Sequence, residues 1–189
     1  MGGREMWNEF RDIIDEYQST LAKLGVRIDI YTQENDDMLL STFRLNNKWW
    51  SISVSKSVGD LVHASIEEYD LNKSEPPRAR GMFHKKSVVL PFFIEALSDV
   101  FSPIIARYIS DYLRRRYKFK VNFRRQDPPY TFWINGSFYM TIKLKRENLY
   151  ICLQDGESGR KYYEGNLPIG EGDFLIDGVA QAIVLFIGL

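Results

Sequence analysis

Phe43-Arg44-Leu45-Asn46-Asn47-Lys48-Trp49-Trp50 is matched in kind and order by Phe132-Trp133-Ile134-Asn135-Gly136-Ser137-Phe138-Tyr139. Asn-Asn and Asn-Gly tolerate the positive φ that tight hairpin turns demand, and aromatic or apolar residues flank both pairs, so each stretch reads as a β-hairpin. Outward from each hairpin the order of elements is the same. A helix over residues 9–24, four strand-like runs and a helix over 88–100 are followed by a helix over 103–116, four runs to 154 and a helix over 173–187. One unit written twice sets the expected fold, because a repeat missed is a fold misread. That fold is α+β: a tandem duplication of a helix–four-stranded antiparallel meander–helix unit with an internal pseudo-twofold. Residues 1–101 form the first unit and 102–189 the second.

Periodicity supplies the detail. Phe10, Ile13, Ile14, Tyr17, Leu21 and Leu24 recur at three- and four-residue spacing, so one helix face is buried, and Gly25 stops the helix. Val26, Ile28 and Ile30 alternate with polar partners, as Phe119, Val121 and Phe123 do in the second unit. Residues 70–86, with Pro76, Pro77, Gly81 and several charges, read as an exposed loop, and the glycine-rich 155–172 reads as another. Ser102-Pro103 is read as an N-cap followed by a first-turn proline, since proline inside a helix costs about 3 kcal/mol. That places a boundary near Phe101.

Composition is that of a soluble globular protein: 44% hydrophobic, 26% charged and 14% aromatic. A unit of roughly 90 residues buries only about 60–65% of its surface, so each is marginal alone. One cysteine, Cys152, excludes an internal disulfide framework and fits a reducing, cytoplasmic setting. The N-terminus has no run of signal-peptide length, and the apolar 88–109 stretch carries Glu95, Asp99 and Arg107, so no membrane span is expected. Net charge is zero but segregated. Residues 85–146 hold 13 Lys/Arg against 4 Asp/Glu, a surplus of +9, and the flanking segments are acidic. Segregation of this kind speaks to partners.

The two units agree on their apolar faces and differ on the other. Opposite the core of the second sheet fall Lys118, Lys120, Arg124, Lys143 and Lys145, with Trp133, Tyr139 and Tyr150 interleaved, and Arg114-Arg115-Arg116 lie just before it. Cations attract phosphates irrespective of sequence, and rings on a sheet give bases a stacking surface. The expected function is therefore non-catalytic RNA binding, within a ribonucleoprotein such as the ribosome. Phosphate contacts are assigned to the cations and stacking to Trp133 and Tyr139. A merely solvated face is the ordinary alternative for strand lysines. The competing functional reading is a dimeric chaperone-like or scaffold module that binds a protein partner and no nucleic acid.

Catalytic signals are weak. His63, expected mid-strand as a structural histidine, and His84, expected in a loop, make no metal spacing with Cys152. Gly156-Glu157-Ser158-Gly159 lacks nucleophile-elbow spacing, and Gly170-Glu171-Gly172 is no phosphate loop. No enzyme activity, cofactor or metal is expected.

Arg114-Arg115-Arg116-Tyr117-Lys118-Phe119, Leu167-Pro168-Ile169 before the helix from Asp173, and Leu24-Gly25-Val26 after the first helix resemble the ends of YbjN-type proteins. That resemblance implies a type III secretion chaperone fold and a dimerising, non-enzymatic protein-binding module. The tandem plan also resembles the two-fold layout of the TATA-binding protein, without a strand before either first helix. Neither resemblance transfers site residues.

Overall fold

The computed structural model describes residues 3–45, 47–70, 72–74, 76–125, 130–169, 177, 181 and 185. It is α+β, with two five-stranded antiparallel sheets and two helices among those residues. The chain divides into two compact units, Met1–Ala22 with Val26–Leu97, and Lys23–Gly25 with Ser98–Leu189.

In the first unit, α1 (Gly3–Lys23) precedes β1 (Ile30–Glu34), β2 (Met38–Leu45), β3 (Lys48–Lys56), β4 (Leu61–Asp70) and β5 (Arg78–Lys85), a meander in chain order. The three- and four-residue stripe of α1 is buried as expected, and Gly25 holds φ 76 just past its end. Trp7 Nε1–H donates to the Asn35 carbonyl (2.9 Å), and the Tyr17 hydroxyl donates to the Ile94 carbonyl (3.0 Å). Phe10 meets Phe93 edge-on at 5.1 Å. Leu39, Phe43, Ile52, Val54, Val62, Ala64 and Ile66 supply the sheet side of this core.

In the second unit, β6 (Val121–Arg125), β7 (Tyr130–Ile134), β8 (Phe138–Lys145), β9 (Asn148–Asp155) and β10 (Lys161–Pro168) form the other meander. Phe132, Ile134, Met140, Ile142, Leu144, Leu149, Ile151 and Leu153 are buried on one face. Asn135 and Gly136 take φ 51 and 79, the turn conformation their types favour. The two hairpins differ in detail: Leu45 pairs with Lys48, whereas Ile134 pairs with Phe138, one residue more in the loop.

Four expectations are corrected. Each sheet has five strands where four were expected, because the supposed loops over 70–86 and 155–172 contain β5 and β10. β5 pairs with β4 in unbroken register from Arg78↔Glu68 to Lys85↔Leu61. β10 pairs with β9 across a bulge between Lys161 and Tyr163. The first strand begins at Ile30, so the alternating 26–29 segment is not strand. α2 (Lys86–Tyr117) is one helix running through Pro103, with no boundary near Phe101. Ser102 does not cap. Its hydroxyl donates to the Ser98 carbonyl (2.6 Å) and accepts the Leu144 N–H (3.0 Å), while Ser98 donates to the Leu144 carbonyl. These bonds satisfy strand backbone of β8 beyond its last described pairing with β7, Tyr130↔Ile142. The expected helix over 173–187 lies mostly outside the described residues, of which Asp177, Gln181 and Leu185 are helical. α2 is long and apolar enough to cross a membrane, by length and composition only. Half of its most apolar window is buried in the protein.

Candidate nucleic-acid interface

The end of α2 and the strand after it set out the cations. Arg114, Arg115, Arg116, Lys118, Lys120 and Arg124 are all exposed. Lys118 ends the helix at φ 59, a left-handed conformation that glycine takes without steric cost, and the Phe119 N–H returns to the Leu113 carbonyl (3.3 Å). Arg114 donates to the Val121 carbonyl (2.5 Å) and lies 3.6 Å from Asp111, while Arg115 Nε donates to the Asp111 carbonyl (3.3 Å). Arg114 therefore also fixes the strand entry. Tyr112 and Tyr117 both donate to Asp177 Oδ1, the second at 2.9 Å, which lowers the pKa of that carboxyl.

Trp133 and Tyr139 are cross-strand partners, half-buried, with ring centroids 5.5 Å apart at 61°. Arg124 lays its guanidinium over both, 5.5 Å from the Trp133 ring and 5.7 Å from the Tyr139 ring. Behind Trp133 lies Gly156, where a Cβ would come within 2.3 Å of the indole and 2.6 Å of the Ser137 carbonyl. Lys145 sits over the Tyr150 ring at 5.3 Å. The remaining expected cation, Lys143, is half-buried, 3.7 Å from Asp99.

The structure thus gathers Arg124, Trp133 and Tyr139 into one contact and Lys145 with Tyr150 into a second. It leaves Lys118 and Lys120 exposed and ties Lys143 to the helix. The sequence pattern does not single out Glu164 and Lys161, because it shows no strand over β10. The Tyr150 hydroxyl donates to Glu164 (2.8 Å), which pushes the phenol up to about 12, and Lys161 reaches the same carboxylate at 2.6 Å. The paired tyrosines at 162 and 163 were the available signal. Phe123 keeps the core-side register opposite Phe132 but is 40% exposed, because β6 is an edge strand.

Cys152 is buried, and burial, then the charge of Glu164, pushes its thiol up, which favours the unreactive protonated form. His63 is exposed on β4, not enclosed, and His84 lies in β5, its Nδ1 accepting the Lys85 N–H at 2.8 Å. Among the described residues no three His, Cys, Asp or Glu side chains gather to hold a metal. No protein-family model, curated protein or solved structure matches the chain.

Proposed function

We propose that this chain is a non-catalytic RNA-binding protein, working in a ribonucleoprotein such as the ribosome, that receives RNA on the outer face of its second sheet. The observation that carries the reading is the Arg124 guanidinium spread over the Trp133–Tyr139 pair beside the exposed cations from Arg114 to Lys120. A base has the same flat, stackable shape as the guanidinium. It can displace Arg124 from the rings, and Arg124 then turns to a phosphate. Stacking of this kind contributes roughly 1–3 kcal/mol per base. Lys118 fits the reading: it keeps a cation beside the others at a position where glycine would fit more easily. Phosphate contacts fall to Lys118, Lys120, Arg124 and Lys145, with Lys143 left to Asp99.

The same reading treats the units as copies of one ancestral unit. In its support, β4 buries Val62, Ala64, Ser65 and Ile66, and β9 buries Leu149, Ile151, Cys152 and Leu153 in the same order. The copies would then have diverged on their outer faces.

Anisotropy of a labelled mixed-sequence RNA tests the function. The wild-type protein is expected to bind at micromolar concentration or tighter. Lys118→Glu with Lys120→Glu, and separately Trp133→Ala, should each weaken binding about tenfold or more with circular dichroism unchanged. Absence of binding at low salt overturns the reading.

A further inference from the structure

Four strands lie at sheet edges, and three of them are blunted. β1 has five residues, β6 has five with a register shift between Phe123 and Arg125, and β10 carries a bulge and ends on Pro168. β5 differs. It is eight residues long and pairs with β4 in unbroken register. Seven of its residues are exposed. Opposite it on β4, Val62, Ala64 and Ile66 are buried, so the covered core stops one strand short and β5 projects beyond it. It is the last strand in its sheet's order, with no strand on its far side among the described residues. Ordering a strand costs backbone entropy that ladder bonds on one side barely offset, and β5 buries little apolar surface in compensation. A strand in that condition gains from a second neighbour.

The residues specify the neighbour. Arg78 and Lys85 bracket β5, and Phe83 stands 54% exposed between them. A second copy in the fully overlapping register is disfavoured, because a two-fold pairing centred between Gly81 and Met82 sets Arg78 opposite Lys85 twice. Like charges directly opposite destabilise a sheet. We propose that β5 is a docking edge for an acidic, extended segment of a partner protein, which adds as a sixth strand. Backbone bonds supply the pairing, carboxylates meet Arg78 and Lys85, and an apolar side chain covers Phe83. The site lies in the first unit, so it stands or falls separately from the RNA face.

Two labelled peptides of about eight residues test it, one with Glu at both ends to meet Arg78 and Lys85 and Val and Thr between them, and one with Lys in place of each Glu. Binding is read by anisotropy, and its location by hydrogen exchange of the β5 amides. The acidic peptide is expected to bind and to slow exchange in β5, and the basic one to do neither. Arg78→Glu with Lys85→Glu should weaken the acidic peptide about tenfold and admit the basic one. Phe83→Ser should weaken binding without changing the charge preference, which keeps the test open if the double variant misfolds. Failure of the acidic peptide to protect β5 in the wild-type protein overturns the proposal and leaves the charges as edge guards. Concentration-dependent protection without peptide, with dimers in sedimentation, overturns it in favour of a second copy. Protection by mixed-sequence RNA and not by peptide overturns it in favour of nucleic acid.

Discussion

Trp133 is positioned by what is missing behind it. Gly156 leaves space that the indole fills, and no Cβ fits there without moving the ring or the Ser137 carbonyl. Gly156→Ala should therefore lose about 1–3 kcal/mol in urea denaturation, the usual cost of overpacking. It should also disturb the Arg124 contact. Tyr150 gives a second test at this scale. Its phenol keeps its proton to about 12 through the bond to Glu164, against an ordinary value of 10.0. The unfolded chain loses that proton first. The stabilisation is thus complete below pH 10 and is lost as pH rises toward 12. Tyr69 and Tyr117 are also raised, so ultraviolet titration of the tyrosinate band should show one fewer late-ionising phenol in Tyr150→Phe than in the wild type.

α2 shows how one element serves two purposes. Pro103 removes a helical N–H, yet the helix continues, and the serines before it turn to β8. Ser102→Ala should leave the buried Leu144 N–H without its partner and cost about 1–3 kcal/mol, read as a lower urea midpoint with unchanged slope. At the other end of α2, Lys118→Gly relieves the left-handed backbone. It should raise stability by about 0.5–1 kcal/mol while lowering RNA affinity, and the opposed signs separate a charge role from a structural one.

These elements also show what could be read in advance. The Asn135-Gly136 hairpin and the α1 stripe were legible because turn chemistry and burial each leave a periodic mark. β5 was not. A strand exposed on both faces has no reason to alternate, so Pro76, Pro77 and Gly81 dominated its reading. In β10 the bulge between Lys161 and Tyr163 breaks the alternation. Ser102-Pro103 matched a helix start in type, and only the backbone of Leu144, distant in sequence, explains why it is not one. The second sheet's cations were legible as a set. The pairing of Lys143 with Asp99 was not, because it depends on how α2 passes β8.

Over the whole chain, two five-stranded meanders of similar build differ in what they present. The segment from 85 to 146 carries a surplus of +9 in a molecule of zero net charge. The RNA account makes that surplus the working part of the protein, and charge-driven binding has a quantitative signature in counterion release. The measurement that tests it most directly is the affinity for a mixed-sequence RNA across a salt series from about 50 to 200 mM. With four to six phosphates neutralised, the logarithm of the association constant should fall linearly with that of salt, with a slope near −3 to −4 for single strands. Binding that ignores salt, or no binding at the low end, contradicts the account.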